Sequence, residues 1–231
     1  MIQERVTHNE LFKMARAKLN TAVIGDILDT LGLVHQFLSP KIQPLNTDMM
    51  LVGMAMPVLE VDVYAMREEN AHNPLMTKPF GMMFEALDDL KPDEVYIASG
   101  SSPRYALWGE LMTTRAMHLG AAGAVLNGYS RDTHGVRKSG FPTFSYGAYA
   151  QDQGARGKVL DYRVAIEIDG ISVRPGDVVV GDVDGVLIVP QDVASETFRL
   201  ALEKANTESL VRKAIQNGMS TVEAFERFGV M

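Results

Sequence analysis

A guanidinium and a carboxylate stand side by side at Arg131 and Asp132, just past a short apolar run, and a second acid, Glu110, precedes Arg131 by 21 positions. Arginine can grip a carboxylate through two parallel hydrogen bonds. Aspartate can hold a hard divalent cation through oxygen. Neighbouring opposite charges after a buried strand therefore suit an anion-plus-metal site. The same dipeptide also suits a surface ion pair contributing under about 1 kcal/mol. Glu110 has the same two readings: a first-turn glutamate is favoured by the helix dipole without any function, or it faces a reaction centre while the amides of Gly109–Met112 bind a substrate carboxylate.

The elements that position these groups can be read from pattern. Ala124-Val125-Leu126 is a short buried strand, broken by Asn127-Gly128. Trp108, Met112, Ala116 and Leu119 share one helical face, which predicts a helix running from Trp108. Val95–Ala98 reads as a buried strand with the small-residue loop Ser99–Pro103 at its carboxyl end, where open sheets place ligands. Thr7-His8-Asn9-Glu10 has capping-box spacing and predicts a helix to about Lys18. Thr21 is placed to cap a second helix, Ala22–Leu31, ended by Gly32. Asp26 on it reads as a helix-surface carboxylate. Leu51–Val63 reads as a strand, with Pro57 suggesting an edge or a bulge. Phe80–Leu90 looks helical, Phe141–Ser145 is a strand, and Gly147–Gly157 is a loop. Asp169-Gly170 and Pro175-Gly176-Asp177 are turns. Val178–Val180 and Val186–Val189 are strands joined through Asp182 and Asp184, which read as turn formers. A long helix covers Asp192–Asn217. The capping box Ser220-Thr221-Val222-Glu223 opens a last helix that Gly229 ends.

Composition removes several chemistries. A net charge of −7 over 231 residues disfavours direct binding to nucleic-acid phosphates. With no cysteine there is no disulfide frame, thiolate metal site or thiol nucleophile. The five histidines, His8, His35, His72, His118 and His134, show no paired metal-ligand spacing. No serine elbow, phosphate-binding loop or dinucleotide fingerprint is present. No apolar run approaches a membrane span and the N-terminus has no signal-peptide pattern, so a cytoplasmic protein with no membrane partner is expected. The fourteen methionines suit core and subunit contacts.

The run Trp108–Asp132 resembles the RraA-like family, which contains class II 4-hydroxy-4-methyl-2-oxoglutarate / 4-carboxy-4-hydroxy-2-oxoadipate aldolases and RraA regulators of ribonuclease E. The aldolases resemble an acidic residue, twenty intervening residues, then Arg-Asp; here these are Glu110, Arg131 and Asp132. Glu110 stands where the aldolases more often show aspartate. Asn127 also stands where many show aspartate, and there it resembles the regulators. Ala22–Asp29 and the Pro-Gly-Asp turn followed by Gly181-Asp182-Val183-Asp184-Gly185-Val186 are similar to other family segments.

The resemblance implies an α/β fold, a swivelling β/β/α sandwich over residues 1–190. It also implies a C-terminal helical extension, 191–231, packing on a neighbouring subunit of a trimer or a hexamer of two trimers. It implies a metal-dependent aldolase that releases pyruvate from 4-hydroxy-2-oxo acids, with oxaloacetate decarboxylation as a side activity. Asp132 would hold Mg²⁺ or Mn²⁺. Arg131 would clamp the substrate carboxylate or enolate oxygen, with Gly109, Glu110, Leu111 and Met112 completing the cradle, and Glu110 would orient the water that acts as base. Glu208, four positions before Arg212, matches a tail glutamate of the aldolases and would act in a neighbour's site; its alternative is a surface pair with Arg212. Arg104 and Lys138 are candidates for the distal carboxylate. The competing functional reading is an RraA-type inhibitor of ribonuclease E.

Overall fold

Alternating apolar residues on one long strand organise three separate packing surfaces. The computed structural model describes residues 8–230, with side chains from residue 10. The elements are α1 (His8–Lys18), α2 (Thr21–Thr30), β1 (Gln43–Pro44), β2 (Leu51–Asp62), α3 (Met83–Asp88), β3 (Glu94–Ser99), β4 (Ala106–Trp108) and α4 (Glu110–His118). They continue as β5 (Gly123–Leu126), β6 (Tyr129–Ser130), α5 (Thr133–Ser139), β7 (Thr143–Ser145), β8 (Gly157–Tyr162), β9 (Ile166–Ile168) and β10 (Ile171–Val173). β11 (Val178–Asp182), β12 (Gly185–Val189), α6 (Gln191–Gln216) and α7 (Thr221–Phe228) complete the chain. The main sheet runs β1-β7-β5-β3-β2-β11-β12, with β8 also on β2. The segment before β1 bridges to β12 through Phe37 and Leu187, while β1 itself pairs with β7. The sheet is thereby nearly closed into a barrel.

Leu51 and Ala55 of β2 point into the barrel, where Val95, Ile97, Val125, Phe144, Val179 and Ile188 fill the interior. Val52 faces outward under α1, α2 and α6. Met56 and Val58 lie under α3 and α4 together with Tyr96, Ala98 and Leu126. Each buried Val, Leu, Ile, Phe or Met among these contributes roughly 1.5–3 kcal/mol. This is a mixed α/β fold with helices on two faces of a curled sheet, the swivelling β/β/α arrangement.

Several local expectations are corrected. Pro57 lies on a central strand, not an edge. It falls where the antiparallel partner of β2 changes from β11 (paired to Leu51–Met54) to β8 (paired to Val58–Asp62), and its carbonyl accepts the Arg163 amide at 2.8 Å. The expected irregularity is also there, as a register shift between Leu59 and Glu60. Asn20, not Thr21, caps α2, accepting from the Val23 amide at 2.9 Å. Thr21 instead donates its amide and its hydroxyl to Asp182, each at 2.7 Å. Asp182 also takes the Asp184 amide, so it both forms the turn and anchors α2.

Helix α3 is shorter than expected because Phe80 and Gly81 have positive φ (both 62°), which no right-handed helix admits. Trp108 ends β4 rather than opening α4. The Thr7 capping box lies outside the described residues, whereas the Ser220–Glu223 box forms. The first turns of α6, through Ala194, Phe198 and Ala201, complete the packing cluster under α1 and α2. No helix among the described residues is long and apolar enough to cross a membrane.

Candidate functional site

Two short strands bring the separated charges together. β4 and β6 pair in parallel, Ala106 with Tyr129 and Trp108 with Ser130, and the Arg131 amide donates to the Trp108 carbonyl at 2.8 Å. Gly109-Glu110 and Arg131-Asp132 therefore leave adjacent strands side by side, each opening a helix. The 21-position spacing is the length of one strand–helix–strand circuit through α4 and β5. Trp108 is fixed beneath them by its indole N–H to Thr113 Oγ1 (2.7 Å) and by stacking on Phe141, with ring centroids 6.1 Å apart.

Asp132 is in the left-handed region (φ 53°) and begins α5 without capping it by its side chain. Gly109 begins α4 in extended backbone, φ −154°, also without a side-chain cap. The Thr113 amide returns to the Gly109 carbonyl, so the first three amides of α4, Glu110 to Met112, have no intrahelical acceptor. A Cβ built on Gly109 would lie 2.9 Å from Asp132 Oδ2 and 3.3 Å from Arg131 Cγ. A side chain here is opposed by the close approach of Asp132, not by the dihedral angles.

Arg131 donates from Nη1 to Asp152 Oδ1 at 2.5 Å. Its Nε is buried, has no hydrogen-bond partner and lies 3.7 Å from Asp132 Oδ1. The Glu110 carboxylate lies over α5, against the position a Cβ on Gly135 would occupy, and Glu110 is not among the cavity-lining residues. Arg131, Asp132, Asp152, Gly109, Leu111 and Met112 line one cavity of about 310 Å³ whose remaining walls include Phe80, Phe84, Leu107 and Trp108. Polar groups converging in an apolar-walled cleft are the ordinary form of a small-molecule site.

The arrangement fits one hard cation at Asp132. Its side chain is 45% exposed, so a carboxylate oxygen is open to a hydrated ion. Among the described residues no group of three or more His, Cys, Asp or Glu could enclose a metal. That donor set suits magnesium, which keeps most of its waters, and does not suit a closed zinc cage.

Other expected residues lie elsewhere. Arg104 lines a separate cavity of about 770 Å³ with Tyr64, Tyr129, Tyr149 and Arg156, and is paired with Asp62 at 2.9 Å. Burial raises the Asp62 carboxyl, but hydrogen bonds from Ser102, Tyr105 and Arg104 outweigh it and hold Asp62 below its usual value. The Ser102 amide donates to Asp62, so the Ser99–Pro103 loop points that donor inward. Lys138 lies in the last turn of α5 and is not among the cavity-lining residues. Asp26 pairs with Lys204. Glu208 lies 4.0 Å from Lys204 and forms no ion pair with Arg212. It lines a shallow cleft with Val211, Arg212 and Val230, apart from the Arg131 cavity within one chain. Asn127 is engaged inside the fold, donating to Ser99 Oγ (3.1 Å) and accepting from the Tyr146 hydroxyl (2.6 Å).

Asp152 is the site residue that sequence reasoning missed. Its Oδ2 accepts the Gly154 amide at 2.8 Å, an Asx turn, and Asp-Gln-Gly is the signal that could have singled it out.

Comparison with known proteins shows which family shares this fold. Over 207 residues the chain is 30% identical to a Halalkalibacterium halodurans protein provisionally named 4-hydroxy-4-methyl-2-oxoglutarate aldolase, covering 89% of each. It is 27% identical to Protein DlpA of Legionella pneumophila over 90% of this chain, but spans only 32% of that longer protein. The crystal structure of Streptomyces coelicolor RraAS2, described as an unusual member of the RNase ES inhibitor RraA family, superposes with a TM-score of 0.74 at 23% identity. That superposition covers 88% of this chain and 97% of RraAS2, and establishes the shared fold. The family model RraA-like, Aldolase/RraA, matches residues 21–188, and the chain belongs to that family.

Proposed function

We propose that the protein is a divalent-metal-dependent lyase that cleaves 4-hydroxy-2-oxo di- or tricarboxylic acids into pyruvate and a second oxo acid. One observation carries the reading: Arg131, Asp132 and the residues that open α4, Gly109, Leu111 and Met112, line a single apolar-walled cavity. The name given to the Halalkalibacterium relative supports the substrate class.

Asp132 would hold Mg²⁺ or Mn²⁺, which when bound supplies a Lewis acid for the charge that develops on the 2-oxo oxygen. Arg131 binds the adjacent carboxylate, with Nη1 already fixed by Asp152 so that the guanidinium plane is set before substrate arrives. The Glu110–Met112 amides donate to the same carboxylate. Glu110, whose carboxylate lies over α5, would turn towards the cavity to orient the water that takes the C4 hydroxyl proton. Phe80, Phe84, Leu107 and Trp108 keep bulk water from the reacting carbon. Oxaloacetate loses carbon dioxide through the same electron flow, so decarboxylation is a side activity.

The working form is a cytoplasmic homotrimer, or a hexamer of two trimers, in which α6 and α7 pack on a neighbour and bring Glu208 to its cavity. Exposed apolar residues on both surfaces support this: Phe84 and Leu111 at the cavity rim, Leu210, Val222 and Phe225 on the tail. An inhibitor role would draw on Asn127, but its amide is already committed within the fold.

The test is pyruvate release from 4-hydroxy-4-methyl-2-oxoglutarate and from oxaloacetate, followed with a coupled dehydrogenase. Turnover with Mg²⁺ that disappears on chelation is expected. No pyruvate from either acid with Mg²⁺ or Mn²⁺ would overturn the reading.

A further inference from the structure

Behind the cavity lies a carboxyl group that the proposed chemistry does not use. Glu60, near the end of β2, is 2% exposed and has no cation within ion-pairing distance among the described residues. Its Oε2 accepts the Gln153 side-chain amide at 2.8 Å, while its Oε1 is buried without any hydrogen-bond partner. Gln153 is itself 4% exposed and lines the cavity. Its backbone carbonyl accepts the amides of Arg156 (2.7 Å) and Gly157 (2.9 Å), closing the turn that follows Asp152. Asp152 in turn holds Arg131. We propose that Glu60 is a positioning residue: through the Gln153 amide it fixes the 151–157 segment that places Asp152 against Arg131.

The physical case is one of burial and bonding. A buried polar side chain is held in place by its partners because leaving them costs the full desolvation penalty. Among the described residues the Gln153 side-chain amide donates to Glu60 alone, and Glu60 is rooted in the sheet. Truncating either side would free the turn at its one buried side-chain anchor.

The protonation state of Glu60 follows from its surroundings. Among the described residues, the titratable groups that interact with it are Tyr96 on β3 and Tyr105 ahead of β4, whose hydroxyl donates to Asp62, and Lys158 lies on the paired strand β8. The two tyrosines are raised above the ordinary phenol range, mainly by burial and in part by Glu60 itself. The Tyr96 hydroxyl is another buried atom without a partner. The Lys158 ammonium is turned away, onto the Met66 and Lys78 carbonyls. No neighbouring cation favours the carboxylate. Burial pushes the Glu60 carboxyl up to about 8, the Gln153 bond opposing it only in part. Glu60 is therefore a neutral acid at neutral pH. An unfolded chain releases this proton near 4.5, the folded one near 8. The folded state binds the proton more tightly, so stability falls as pH rises from about 4.5 to about 8 and levels off above. The bond from Gln153 favours the charged form, so ionisation above that range leaves Gln153 held by a stronger acceptor.

The inference rests on the reading of Arg131 as a substrate-binding group only for its functional consequence, and segment order can be measured without turnover. The experiment is amide hydrogen exchange of the intact protein over residues 151–157, corrected for intrinsic rates, at about pH 6 and about pH 9.5. In the wild type, the Gly154, Arg156 and Gly157 amides are protected at both pH values. Glu60→Gln, which keeps an acceptor for Gln153, retains that protection. Glu60→Leu and Gln153→Leu each exchange there at least about tenfold faster. Either of two results would overturn the proposal: Glu60→Leu or Gln153→Leu remaining as protected as wild type, or Glu60→Gln losing protection as fully as Gln153→Leu.

Discussion

At the residue scale the account turns on what Arg131 and Asp132 can do that their conservative replacements cannot. Lysine keeps the positive charge of Arg131 but has no planar fork, so it cannot hold Asp152 and a substrate carboxylate at once. Arg131→Lys is expected to lower kcat/KM for the oxo acid by at least about tenfold, a transition-state loss of roughly 1.4 kcal/mol or more. Wild-type kcat/KM in that variant would reduce Arg131 to a point charge. Asp132→Asn preserves shape and removes the charge that holds a cation. Its melting temperature should stay near that of the wild type, because Asp132 makes no side-chain cap. Its activity should be absent at limiting Mg²⁺; turnover equal to wild type there would remove the metal from Asp132.

At the element scale the parallel pairing of β4 with β6 sets the geometry, and Gly109 is its tightest point. Extended backbone at φ −154° accepts any residue, so Gly109→Ala introduces no backbone strain. Its methyl instead meets Asp132 Oδ2 at 2.9 Å. The carboxylate end can swing away, so stability should fall by under about 1 kcal/mol while activity drops by about tenfold or more. Full activity in Gly109→Ala would show that the position of Asp132 is immaterial.

The strands and helices that build this corner were largely legible. Ala124–Leu126, the Asn127-Gly128 break and the charged turn all follow from apolar runs and breakers. What was not legible came from long-range pairing. Trp108 has the spacing of a helical face, yet its backbone is drawn into β4 by a partner strand over twenty positions away. Thr21 has the side chain of a cap, but Asp182, distant in sequence, takes its donors and leaves the cap to Asn20. Asp152 was hidden because a small polar loop has no periodicity; only the Asx turn marks it. The spacing of Glu110 to Arg131 pointed to the site through its resemblance to the family pattern, and the β4–β6 pairing is what brings the two positions together.

At the scale of the whole molecule, the tail and the cavity occupy different faces of one chain. α6 packs on α1, α2 and β12, whereas Arg131 and Asp132 lie beside α3, α4 and α5. If Glu208 acts on a neighbour, it must cross a subunit boundary. Glu208→Ala and Asp132→Ala should then each be nearly inactive alone. Co-expressed mixed oligomers should recover part of the activity, since some interfaces pair an intact Glu208 with an intact Asp132. No recovery in verified mixed oligomers would remove the role in trans, and a fully active Glu208→Ala would return the residue to its surface contact with Lys204.

The central claim is that the Arg131–Asp132 cavity uses a divalent cation to stabilise negative charge on a 2-oxo acid. Its most direct test does not require knowing the second product. Cleavage ends with a proton delivered to C3 of pyruvate, and that step must run in reverse. Pyruvate in deuterium oxide, with the protein and Mg²⁺, should lose its methyl proton signal by NMR faster than the uncatalysed rate. That exchange should vanish with chelator and in Asp132→Asn. Exchange no faster than background in the wild type with Mg²⁺, or exchange undiminished in Asp132→Asn, would contradict the account.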